Sequence, residues 1–118
     1  MNNFYTVIIP CLNEEKFIGK LLYTLSIQSD QNFEVIVVDG KSEDKTIEVI
    51  HKFDSLLPQM RIVVSDRRGV AFQRNLGASH AKSEHILFLD ADSRLDVDYI
   101  RDFKDEVAKS KADIATAY

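Results

Sequence analysis

The sequence carries one cysteine, Cys11, so no intrachain disulfide can form and nothing points to an oxidising compartment. It also lacks a basic excess. Nineteen acidic residues stand against 15 lysines and arginines, a net charge of -4, which sets it apart from nucleic-acid-binding domains. Long apolar runs are missing too: Val35–Val38 and Ile86–Leu89 are far too short to span a bilayer. The opening Met1-Asn2-Asn3-Phe4-Tyr5 has no basic n-region and no apolar h-region. No signal peptide is therefore expected, and the cytoplasm is the expected location. There is no Walker loop and no G-x-G-x-x-G, so neither ordinary phosphate-loop class is supported. Repeats, low-complexity tracts and flexible linkers are absent. What remains is a chain of 118 residues, 45% hydrophobic, which predicts one globular domain. That is small for an enzyme with two substrates.

Apolar bursts alternate with helical patterns. Thr6–Ile9 is a β-branched run ended by Pro10, and Phe33–Val38 is a second, ended by Asp39-Gly40. Arg61–Val64 and His85–Leu89 follow, and Ala112–Ala117 reads as the start of a fifth. Such continuous runs suit strands covered on both faces, as in a parallel sheet. Ile18, Leu21, Leu22 and Leu25 share one helical face. Ile47, Ile50 and Asp54 mark a second helix, and Ile100, Phe103 and Val107 another. Ser42 and Asp96 are candidate N-caps. Gly69–Lys82 reads as a weaker helix interrupted by Gly77. The alternation predicts an open, mostly parallel α/β sheet flanked by helices, Rossmann-like in layout.

In such sheets, ligands sit outside the carboxyl ends of the strands. The unusual polar residues fall there: Pro10-Cys11-Leu12-Asn13-Glu14-Glu15, Asp39-Gly40-Lys41-Ser42 and Asp90-Ala91-Asp92-Ser93. Two carboxylates two residues apart, just past a strand, suit Mg²⁺ or Mn²⁺ bound jointly with substrate phosphates. Taken alone, Asp90 and Asp92 also read as acids that end a strand and shape a turn. Asp39 reads equally as an acceptor for a base N–H or ribose hydroxyl and as a turn residue before Gly40. Asn13 can cap a helix that Glu14 and Glu15 favour through its dipole. Alternatively, Pro10 and its loop shape a slot for a flat base. Arg67, Arg68 and Arg74 form a local basic cluster; Arg67 and Arg68 read first as a solvated face. Cys11 reads as a small buried residue. His51, His80 and His85 lack the spacing of a metal box.

Three segments in order resemble the nucleotide-sugar half of family 2 glycosyltransferases, which have a GT-A fold. They are Val7–Glu15, Val37–Thr46, and Gln73–Ala78 followed by Leu87–Ser93. The resemblance runs from about Thr6 to Ser93. It implies that Pro10, Leu12, Asn13, Glu14 and Asp39 line the base and ribose site. It implies that Arg74 lies near the diphosphate or ribose and that Asp90 and Ala91 contact the sugar-nucleotide. Asp92 is then the principal metal ligand, with Asp90 beside it, for Mn²⁺ or Mg²⁺. The implied chemistry is inverting, metal-assisted glycosyl transfer from a nucleoside-diphosphate sugar.

Two departures bear on that expectation. Gly40 stands where many relatives carry a second acid, and Lys41 where many have a small residue. In the family the acceptor-binding half and catalytic base come later; no residue here matches that base, and Asp113 lacks the motif context. Residues 1–118 are therefore expected to form the donor-binding portion, truncated before the acceptor half and weak or inactive alone. The acceptor is unnamed, with a membrane-associated one among the options; a homodimer or a second chain covering the truncated edge is the other partner expectation. Two alternatives stand beside this: a non-catalytic interaction domain of the same fold, and a phosphatase of the haloacid dehalogenase type with Asp90 as nucleophile.

Overall fold

The four β-branched runs become the strands of one sheet. In the computed structural model, which describes residues 3–110, these are β1 (Tyr5–Cys11), β2 (Phe33–Asp39), β3 (Met60–Val64) and β4 (Ile86–Phe88). They are all parallel, in the order β3-β2-β1-β4. The helices α1 (Ile18–Ser26), α2 (Thr46–His51), α3 (Val70–Ser79) and α4 (Tyr99–Ser110) alternate with them. This is the open α/β sheet expected. The strand expected at Ala112–Ala117, and Asp113 within it, lie outside the described residues.

Both central strands are buried along their whole length, so both sheet faces need cover. One face carries Val7, Ile9, Val35, Val37 and Leu87 against the α1 stripe Ile18, Leu21, Leu22 and Leu25, with Ile50, Ile100 and Val107. The other carries Ile8, Ile36 and Val38 against Leu76 and Ala78 of α3. Gly77 does not interrupt α3, contrary to expectation. It is the point of closest approach: a Cβ there would lie 2.6 Å from Ile8 Cγ2 and 3.0 Å from Val38 Cγ2. Helix continuity at a glycine costs about 1 kcal/mol, and close packing on the sheet offsets it.

Pro10 does not end its strand either. The Thr6 N–H donates to the His85 carbonyl and the Ile8 carbonyl accepts from the Leu89 N–H, so even-numbered positions of β1 face β4. The last β1–β4 pair is Ile8↔Phe88. The missing N–H of Pro10 therefore falls just past that ladder, while its partner in β2 is Val38. The second helix stops at His51, and Asp54 follows in a turn with its carboxylate 3.0 Å from His51 Nδ1. Neither expected cap forms. Asp44, not Ser42, accepts the Thr46 N–H at 2.9 Å, because Ser42 is drawn to Asp39. Asp96 contributes its main-chain carbonyl, which accepts from Gln28 Nε2 at 2.7 Å and from the Tyr99 N–H.

Candidate functional site

The carboxyl ends of β1 and β4 and the start of α3 enclose an open cleft of about 460 Å³. The β1 loop contributes Pro10, Cys11, Leu12 and Glu14; the turn after β4 contributes Asp90, Ala91 and Asp92; α3 contributes Gly69, Val70 and Gln73. Two of the three expected strand-end clusters, those after β1 and β4, thus meet in the cleft, while the Asp39–Ser42 cluster does not line it and α3 supplies the third wall. Six of the nine sequence-predicted site residues line the cleft directly: Pro10, Leu12, Glu14, Asp90, Ala91 and Asp92.

The turn after β4 is closed by the Ser93 N–H donating to the Asp90 carbonyl at 3.0 Å. It buries Ala91 and leaves Asp90 and Asp92 exposed. Arg74 reaches this turn from α3, with its guanidinium 3.8 Å from Asp90 Oδ1 and 5.6 Å above the Phe88 ring. Among the described residues no cation pairs with Asp92 or Glu14. Glu14 feels the consequence: burial, then the charges of Asp92, Asp44 and Asp90, push its carboxyl above its ordinary value of 4.5. Three carboxylates therefore share the cleft, with Arg74 beside Asp90.

The three remaining predicted residues stand behind the wall. Asp39 is 2% exposed. Its carboxylate accepts from the Ser42 N–H at 2.9 Å, the Ser42 hydroxyl at 2.5 Å and the Cys11 thiol at 3.5 Å. Asn13 adopts φ 53°, and its side-chain oxygen accepts the Glu43 N–H at 2.8 Å while its own N–H donates to Ser42 Oγ. It knits the β1 loop to the β2 loop instead of capping α1. Arg74 stands at the edge of the turn as described. Burial and the neighbouring Asp39 raise the Cys11 thiol far above the usual thiol range, so it behaves as a small buried residue.

Arg68, Arg67 and Lys41 are occupied elsewhere. Arg68 donates to the Gly40 and Lys41 carbonyls, both at 2.9 Å, and pairs with Glu43. Arg67 stacks over Phe72 at 4.5 Å. Lys41 sits at φ 62° and pairs with the exposed Asp66 at 3.4 Å. His85 stacks on Tyr5 at 4.9 Å, well away from the cleft. Gly69, which the sequence offers as a glycine that lets its loop approach a ligand closely, lines the cleft together with Val70 and Gln73, to which the sequence gave no role. The available signal was Gly69, a glycine just before a helical pattern and one strand length after β3.

The acidic pair is suited to a divalent cation. Its donors are hard carboxylate oxygens exposed to the cleft. Among the described residues no group of three or more His, Cys, Asp or Glu could hold an ion by itself.

The fold is an open parallel α/β sheet with a cleft at the carboxyl ends of its strands. Residues 6–117 match the glycosyl transferase family 2 profile, and the chain belongs to that family. It is similar to glycosyltransferase GlyA of Streptococcus pneumoniae serotype 4, at 27% identity over 110 residues, which cover 93% of this chain and 16% of GlyA. The crystal structure of residues 1–349 of Staphylococcus aureus TarS in complex with UDP superposes with a TM-score of 0.81 at 29% identity, over 90% of this chain and 32% of that one. The mannosyltransferase PcManGT from Pyrobaculum calidifontis, in complex with GDP-Man and Mn²⁺, gives a TM-score of 0.70 at 32% identity, over 76% of this chain and 28% of that one. The chain thus spans a third or less of the length of these relatives.

Proposed function

We propose that this chain is the donor-binding portion of a glycosyltransferase, taking a nucleoside-diphosphate sugar together with Mn²⁺ or Mg²⁺. One observation carries the reading: the exposed carboxylates of Asp90 and Asp92 face Glu14 and the β1 loop across a cleft at the carboxyl ends of the strands. TarS with UDP and PcManGT with GDP-Man and Mn²⁺ support the ligand class. Pro10 and Leu12 shape the slot for the base, and Glu14 faces the ribose. Asn13 and Asp39 keep that end in shape, Asn13 through Glu43 and Asp39 through Ser42. Ala91 keeps the turn tight against the donor.

Asp92 would be the principal metal ligand and Asp90 the second. A divalent cation held by Asp90 and Asp92 would supply positive charge to the diphosphate leaving group. Arg74 keeps the Asp90 carboxylate oriented and adds positive charge on the diphosphate side. The transfer is inverting: an acceptor oxygen forms a bond to the anomeric carbon as the bond to the diphosphate breaks. The base that takes the acceptor proton is assigned to no residue of this chain. A cytoplasmic setting belongs to the same reading, with Cys11 as a lone buried thiol. Membership of the family leaves no role for Asp90 as a phosphatase nucleophile.

Calorimetry with UDP, GDP and their sugars, with and without Mn²⁺, tests the proposal. At least one of them binds, and binds more tightly with the metal. Asp92→Ala removes the metal dependence while unfolding stability stays within about 0.5 kcal/mol, as for an exposed side chain. A folded sample that binds none of these ligands overturns the proposal and favours a non-catalytic interaction domain.

A further inference from the structure

The α3 wall of the cleft begins at Gly69, a residue at φ 141° with no side-chain cap. Something else must hold that first turn against the sheet. Gln73 is 4% exposed and touches all three neighbouring segments. Its Nε2 donates to the Cys11 carbonyl at 3.0 Å and to the Val38 carbonyl at 2.8 Å. Its Oε1 accepts the Gly69 N–H at 3.1 Å. Both amide hydrogens are used, and only this orientation of the amide satisfies two carbonyls and one N–H at once. The back-reaching bond to Gly69 does for α3 what a capping-box glutamine does for other helices. Gln73 thereby ties the ends of β1 and β2 to the start of α3.

The same amide explains Gly40. A Cβ at position 40 would lie 3.2 Å from Gln73 Oε1, 3.5 Å from its Cδ and 3.4 Å from Arg68 Cγ. Gly40 does not have a positive φ, so backbone freedom is not the reason for a glycine there. The reason is room for the Gln73 amide and the Arg68 stem. A larger side chain at this position would push on the group that holds the α3 wall.

We infer that Gln73 is the positioning residue that sets the Gly69–Val70 wall of the donor cleft, and that Gly40 is the space it requires, so the two positions act as a coupled pair. The consequence for donor affinity rests on the proposed function; the coupling itself does not.

The test is a cycle of Gln73→Met, Gly40→Ala and the double variant. Three quantities are read: amide hydrogen exchange at Gly69, global unfolding, and calorimetric binding of UDP and GDP with Mn²⁺. In Gln73→Met the Gly69 amide loses its acceptor and exchanges about tenfold faster than global unfolding explains. Gly40→Ala accelerates the same amide by displacing Oε1. The double variant is no faster than Gln73→Met, because the amide that the added methyl group displaces has gone. Nucleotide affinity falls in the same order. Unchanged Gly69 exchange in Gln73→Met, or additive effects in the double variant, overturns the inference. If Gln73→Met does not fold, Gly40→Ala decides through the Gly69 amide alone. A wild-type chain that binds no nucleotide refutes the donor-binding reading, while the exchange cycle still decides the coupling.

Discussion

The two ends of the sheet treat charge in opposite ways. At the amino end, Glu34 is 2% exposed and every approach to it is filled. It accepts from the Thr6 hydroxyl and the Lys82 N–H, both at 2.7 Å, and from the Arg61 guanidinium at 3.3 Å. On the other face Lys104, 6% exposed, donates to Asp30 and to the Asn3 and Asn32 carbonyls. Burial lowers its pKa, and Asp30 works against that shift. At the carboxyl end, Asp90, Asp92 and Glu14 line one cleft, and Arg74 pairs with Asp90. The amino end spends its polar groups on the fold, since an unpaired buried charge is costly. At the carboxyl end Asp39 is satisfied in the same way, but among the described residues Asp92 and Glu14 have no cationic partner.

Three substitutions probe that contrast. Glu34→Ala should have the largest effect, a loss of about 3 kcal/mol in urea unfolding, because it strands Thr6, the Lys82 N–H and Arg61. A loss no larger than that of Asp92→Ala would erase the distinction between the ends. Gly77→Ala comes next. Its Cβ would press on Ile8 and Val38 and lift α3, which links both ends: its first turn forms the cleft wall, and the His80 carbonyl that follows it accepts from Arg61 at 2.6 Å. Overpacking of this kind costs about 1–3 kcal/mol, slightly offset by the helix propensity of alanine. Unfolding and nucleotide calorimetry should both register it.

Glu14→Gln should have the smallest effect, and of the opposite sign. The Glu14 pKa is raised in the fold, so the fold holds that proton more tightly than the unfolded chain does. The associated stability is present at acid pH and is lost as pH rises through the folded pKa. At pH 7 the ionised group opposes folding, and the neutral glutamine should raise the melting temperature slightly. The gain should shrink as pH falls through the raised folded pKa and be gone below the ordinary value of 4.5, where glutamate is protonated in both states. A gain that is independent of pH would show that crowding of the acids is not its source.

The sequence pattern was enough for the layers and for the rim. Runs such as Val35–Val38 can only be buried on both sides, and the spacing of Ile18, Leu21, Leu22 and Leu25 shows one face of a helix. The acids Asp90 and Asp92 fall directly after a short apolar run, so their place at a strand end was legible. Asp39 and Asn13 were harder. A polar residue after a strand can turn out to solvent or inward, and the choice depends on partners 3 to 30 residues away. Pro10 read as a strand end because a proline lacks a ladder donor. Whether that donor was needed depended on where the neighbouring strand stopped.

By itself the sequence determined the fold class, the strand ends after β1 and β4 that form the cleft, and the acidic pair that lines it. Hydrophobic periodicity and strand-end position are local and survive in one dimension. Only the tertiary structure decided which polar residues face the cleft and which brace it. It turned Asp39 inward onto Ser42, made Gly77 a contact point, and gave Gln73 and Gly40 a shared purpose. Those outcomes depend on distances between segments such as Cys11, Val38 and Gly69, and such distances exist only once the sheet and its helices have packed.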